Sequence, residues 1–95
     1  MDVIYKYQLR GPSPIIVKMP PGAEILCVQN QLEEPTLWVR CDPKVGFVGR
    51  KINVFVTGER VGAAPGKYIG TVLLMDGTFV VHVFDGGEVA LIPNV

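Results

Sequence analysis

The stretch YIGTVLLMDGTFVVHVF, residues 68–84, carries the strongest local signal of the chain. Two apolar runs rich in β-branched and aromatic residues flank Asp76-Gly77, and neither carries the three-to-four-residue spacing of a helix. Asp-Gly supplies the positive φ angles of a type I′ turn, whose twist matches that of two antiparallel strands. The stretch therefore predicts a two-residue β-hairpin. After it, Asp85-Gly86-Gly87 reads as another turn, leading into a short strand EVALI.

The rest of the chain follows the same grammar. VIYKYQL (3–9) alternates, with Val3, Tyr5, Tyr7 and Leu9 on one face and Ile4, Lys6 and Gln8 on the other. After the break GPSP (11–14), IIVKM sets Ile15, Val17 and Met19 inward, and Pro20-Pro21-Gly22 ends that ladder. AEILCVQNQ and TLWVRC flank LEEP and predict an antiparallel pair on a short loop. Asp42-Pro43 stops the second member, because proline lacks a donor and restricts the residue before it. KINVFVT (51–57) adds a strand with Ile52, Val54 and Val56 on one face. Eleven glycines and eight prolines punctuate the chain at intervals suited to short strands. The expectation is one all-β domain over residues 1–95, a small antiparallel β-sandwich or flattened barrel of seven to eight short strands.

Composition narrows the function classes. Nine basic and nine acidic residues cancel, which removes the bulk electrostatic argument for binding DNA or RNA or an anionic membrane. The apolar runs are far short of a span of ~20 residues. MDVIYKYQL has none of the marks of a secretion signal, so a cytoplasmic protein is expected. Cys27 and Cys41 fall inside strands and read as reduced, buried small hydrophobes; two cysteines and one histidine do not make a zinc site. Hydrophobic residues reach 48% while charged residues are only 19%, below the ~25% usual for soluble domains. In so small a domain, part of that apolar surface is expected to serve a subunit interface in a homo-oligomer, with a symmetric dimer as the default form.

Candidate binding residues lie in three places. Trp38 and Arg40, two apart on one strand, share a face and offer an aromatic platform with an anion clamp; the competing reading makes Trp38 core and lets Arg40 snorkel at its edge. If LEEP closes a hairpin, Gln29 and Gln31 arrive beside them, and the four converge on one polar pocket. Otherwise the amides only mark where a strand runs into solvent. His82 shares a face with Val80 and Phe84, in a strand apolar on both sides and so expected to be buried on both, with a partner subunit as the candidate cover of one side; a structural role is favoured over ligand contact, and both over catalysis. The loop TGERVGAAPGKY (57–68) fails as a phosphate-binding loop, since Val61 and Tyr68 stand where glycine and Ser or Thr are required. Arg60 and Lys67 remain as anion contacts if it acts as a lid; the plainer reading is an exposed hairpin loop. No pair of carboxylates and no nucleophile pattern around Ser13 supports catalysis, so no enzyme, cofactor or metal site is expected.

YKY (5–7), MPPGAEILCVQNQ (19–31), LW (37–38), DP (42–43), VTG (56–58), YIGT (68–71) and VVHVF (80–84) together resemble a family of short phage and prophage proteins of unassigned function. The resemblance runs along almost the whole chain in order. It brings no catalytic residues with it, and the chain departs from the pattern at the proline-rich stretch 11–14 and at Asn30. It implies a phage-encoded protein acting in the cytoplasm of an infected bacterium. By analogy with small phage proteins that counter host defence, it suggests an oligomeric sponge for a nucleotide-derived immune signal. The alternative is a virion-associated or protein-inhibitor module that spends the same apolar surface on assembly.

Overall fold

The computed structural model describes residues 1–91. It contains seven strands: β1 (Val3–Gln8), β2 (Ile15–Met19), β3 (Glu24–Gln31), β4 (Glu34–Cys41), β5 (Val48–Val56), β6 (Lys67–Leu74) and β7 (Phe79–Val89). They form a three-stranded sheet in the order β1-β4-β3 and a four-stranded sheet in the order β2-β5-β7-β6. Every pairing is antiparallel.

Alternation builds the space between the sheets. Leu37, Val39 and Cys41 on β4 face Ile52 on β5 and Val72, Val81 and Val83 on β6 and β7, with Met19 from β2. Met19, Leu37, Val39, Ile52 and Val83 are completely buried, each burial stabilising by about 1.5–3 kcal/mol. The sheets close where β3 packs on β6. Gly70 permits that approach, since a Cβ there would come within 2.9 Å of Val28 Cγ1.

The hairpin at residues 68–84 forms as expected. Asp76 and Gly77 have φ angles of 54° and 82°, and Thr78 N–H donates to the Met75 carbonyl at 3.1 Å. Met75 is also left-handed at φ 51°, so regular pairing ends one step earlier, at Leu74 opposite Phe79. LEEP also turns the chain, but through Leu32 and Glu33 alone; Glu34 and Pro35 already belong to β4. Pro35 is tolerated there because its missing donor would face the end of β1, where its carbonyl instead accepts Leu9 N–H at 2.8 Å.

Two expectations are corrected. Asp85-Gly86-Gly87 is no turn but a bulge inside β7: the register against β5 shifts between Arg50 and Ile52, and Glu88 and Val89 continue the strand. The bulge is fixed by Asp85, whose carboxylate accepts both Gly87 N–H at 2.8 Å and the Arg50 guanidinium at 2.9 and 2.8 Å. Arg50 also donates to the Ala23 carbonyl at 2.9 Å, tying β5 and β7 to the start of β3. Ile92, the end of the expected EVALI strand, lies outside the described residues. The loop at 57–66 is likewise no hairpin loop. β5 and β6 are both antiparallel to β7, which stands between them, so they run parallel to each other and the loop is a crossover. It is held at its far end by Asn53 Nδ2, which donates to the Pro65 carbonyl at 2.7 Å.

Candidate ligand-binding face

Strand β4 is the centre of the three-stranded sheet, so its outward side chains are flanked on both sides. Its register places Trp38 between Lys6 on β1 and Cys27 on β3, and Arg40 between Ile4 and Glu24. Gln29 and Gln31 follow on β3, opposite Thr36 and Glu34. Gln29, Gln31, Trp38 and Arg40 therefore share the outer face of one sheet. The reading of Trp38 as core is not met: its neighbours Leu37 and Val39 are the buried ones, and Trp38 itself is half-buried on the outside.

Lys6 joins the group. Its Nζ donates to Gln31 Oε1 at 2.8 Å, crossing β4 to do so, and lies 5.9 Å from the centroid of the Trp38 ring. That distance is within cation–π reach. Arg40 Nε donates to Asp2 Oδ2 at 2.9 Å, both side chains remaining open to solvent. At the far end Arg10 bridges Glu34, at 2.6 Å, and Gln8, at 2.8 Å. The hydrogen bond from Arg10, helped by its charge, holds the Glu34 carboxyl below its ordinary range. The result is an open sheet face with an aromatic platform, cations above and beside it, and amides at one side. It can stack a planar group and hold an anion. Alternation sets Lys6 on the side of β1 away from Tyr5 and Tyr7, but the β1–β4 pairing that brings it to Trp38 joins strands distant in the chain.

The other candidate residues are elsewhere. His82 stands on the outer face of the four-stranded sheet, half-buried within the single chain, beside Val80 and Phe84. Its ring nitrogens meet Thr57 Oγ1 at 2.9 Å and Thr71 Oγ1 at 3.0 Å, and Tyr68 OH extends the chain to Thr71 at 2.6 Å. Both nitrogens are thus engaged by threonine hydroxyls, one just past the end of β5 and one on β6. Phe84 packs edge-on against Phe55 and Tyr68, with centroids 5.7 and 5.5 Å apart. Lys67 lines a polar cleft of about 360 Å³ with Glu24, Arg50, Tyr68 and Asp85. There the Arg50 charge is already matched by Asp85. Arg60 is on the exposed crossover loop. A second, mainly apolar cavity of about 420 Å³ opens between the sheets among Leu9, Val54, Val56, Leu74, Phe79 and Val81.

Ser13 has a structural task as well: its Oγ accepts Val54 N–H at 2.8 Å just beyond the last β2–β5 pair. Cys41 is buried, which pushes its thiol pKa up, whereas Cys27 is only half-buried beside Trp38; both are free thiols. Among the described residues no three His, Cys, Asp or Glu side chains come together to hold a metal ion, and no helix is long and apolar enough to cross a membrane.

The fold and this face define a small two-sheet β-domain with an open aromatic and cationic surface. The chain belongs to the family described as a domain of unknown function, DUF7352, which matches residues 1–90. No curated protein and no solved structure matches it.

Proposed function

We propose that this chain is a phage-encoded, non-catalytic binding protein that sequesters a nucleotide-derived signalling molecule in the host cytoplasm. The observation that carries the reading is the placement of Lys6 over Trp38 and against Gln31, with Arg40 on the same face. A nucleobase matches the indole, phosphate oxygens match Lys6 and Arg40, and base edges match the amides. The Arg40–Asp2 pair does not stand in the way. Exposed ion pairs are worth about 0–1 kcal/mol, so a phosphate can displace the carboxylate. The phage origin and the sequestering role rest on the family resemblance and on analogy.

The test is mass spectrometry of the purified protein under native and then denaturing conditions, followed by calorimetric titration with a panel of cyclic and linear nucleotides. Trp38→Ala and Arg40→Ala are expected to lose binding while keeping the fold and the assembly. Unchanged affinity in both variants overturns the site.

The assembly reading is favoured by a different observation, the apolar 420 Å³ cavity at the open end of the sandwich. Its lining suits an apolar side chain of a protein partner better than a nucleotide. Retention of a host or virion protein that is lost on Val56→Asp, with no small molecule bound, would select it.

A further inference from the structure

We propose that β1 is the interface of a symmetric dimer, in which two copies pair antiparallel about Ile4 to make one continuous six-stranded sheet. The inference does not depend on the ligand reading.

Among the described residues, β1 is an edge strand paired only with β4. Free sheet edges are usually blunted by proline, bulges, covering segments or charge. β2 is bracketed by Pro14 and Pro20. β3 and β6 lie against each other where the sheets close, and each has a break in register. β1 has none of these: its six residues pair without irregularity, and Val3, Ile4 and Tyr5 are 36%, 62% and 43% exposed. Its one charge, Lys6, is drawn across β4 to Gln31 and away from the edge.

The ladder fixes which backbone groups are free. Leu9 N–H donates to the Pro35 carbonyl on β4. Antiparallel pairing alternates along a strand, so Tyr7, Tyr5 and Val3 also turn their amides to β4, while Lys6 and Ile4 turn theirs outward. A second copy must match outward residues with outward residues. Centring the two-fold axis on Lys6 sets two lysines face to face. Centring it on Ile4 places Asp2 opposite the partner's Lys6 twice over, Ile4 against the partner's Ile4, and Val3 against the partner's Tyr5. That register alone covers the three exposed apolar residues and matches every charge. It also extends the polar chain, from Arg40 through Asp2 to the partner's Lys6 and the partner's Gln31. Because Ile4 is level with Arg40, the two candidate faces merge into one, with the two Arg40 residues in line across the axis, about 14 Å apart by strand spacing.

The test is analytical ultracentrifugation of the full chain with charge exchange. Wild type should sediment as a dimer. Asp2→Lys and Lys6→Asp should each weaken self-association by about tenfold or more, since opposed like charges replace opposed unlike ones. An equimolar mixture of the two variants should recover a heterodimer, because each supplies the charge the other lacks in this register. Ile4→Pro, which removes an outward N–H that no partner among the described residues uses, should give a folded monomer. A monomeric wild type, or a dimer indifferent to all three substitutions, overturns the proposal; so does failure of the mixture to associate while each variant is folded by circular dichroism.

Discussion

The Glu33 carboxylate accepts the backbone N–H of Met75 at 2.8 Å, across 42 residues of chain. Each residue sits in a hairpin turn at positive φ, so the two turns at this end of the sandwich are bolted together. Asn30 completes the bolt: its Oδ1 accepts Glu33 N–H at 2.9 Å, and its Nδ2 donates to the Leu73 carbonyl at 3.1 Å and to Glu33 Oε1 at 3.3 Å. These bonds favour the charged carboxylate and hold the Glu33 pKa below the ordinary value. The middle amide of the Gln-Asn-Gln run is thus a clamp between turns, and its neighbours face outward on either side of it.

Asn30→Ala is therefore expected to destabilise the fold by about 1 kcal/mol, the net worth of a hydrogen-bonded group of this kind. Leu32, 85% exposed at φ 54°, meets the steric cost that left-handed backbone imposes on a side chain. Leu32→Asn should consequently stabilise by about 0.5 kcal/mol. Urea unfolding of both variants checks the pair of opposite signs.

The Arg50–Asp85 pair predicts an acid-sensitive fold. Its side chains are only 12% and 15% exposed, and the Arg50 hydrogen bonds, with Gly87 N–H, hold the Asp85 pKa below the ordinary carboxylate value. A depressed folded-state pKa contributes stability above the unfolded value and loses it as pH falls through the folded one, so the loss belongs below about pH 4. Asp85→Asn should cost about 2–3 kcal/mol at neutral pH, because it leaves Arg50 without its counter-charge and loosens the bulge. It should also flatten the acid limb of stability against pH. Thermal melts from pH 2.5 to 7 read both effects.

Local chemistry was legible where a residue's role is decided by its neighbours in sequence. Asp76-Gly77 announced its turn, and Leu37 and Val39 announced the buried side of β4 by alternation. Asp85-Gly86-Gly87 misled, because the same left-handed glycine that makes a turn also makes a bulge; Gly87 has φ 90°. The pairing of β7 with β5 on both sides of the shift, with Arg50 held to Asp85 from 35 residues away, makes it a bulge. The candidate face was half visible for the same reason. Trp38 with Arg40, and Gln29 with Gln31, follow from one strand and one hairpin, whereas Lys6 and Asp2 reach them through a pairing of β1 with β4 that no local pattern encodes. Around His82, apolar side chains on both sides of the strand describe an outer aromatic cluster as well as a strand covered by a second subunit.

Gly66 is a sharper test of the crossover. It has φ 101°, and a Cβ there would collide with the Asp85 carbonyl and crowd Gly86. Both the backbone angle and the space exclude a side chain. Gly66→Ala should destabilise by about 2 kcal/mol or more, while Gly62→Ala, in the same loop with open space around it, should stay within about 0.5 kcal/mol of wild type. Equal effects at the two positions would mean that the loop does not pass against the bulge in β7.

Trp38 is the only tryptophan, so its emission, excited at wavelengths that spare the three tyrosines, reports on the candidate face. A nucleotide that stacks on the indole should quench and shift its emission in step with the heat of binding. Lys6→Ala removes the cation 5.9 Å from the ring and the bond to Gln31. The ammonium is exposed, so stability should move by no more than about 0.5 kcal/mol. Nucleotide affinity should fall about tenfold, the ~1.4 kcal/mol equivalent of one charge-assisted contact to phosphate. The decisive comparison is emission against calorimetry in one titration. A nucleotide that saturates by calorimetry but leaves Trp38 emission unmoved is bound elsewhere, with the polar cleft at Lys67 the next place to look.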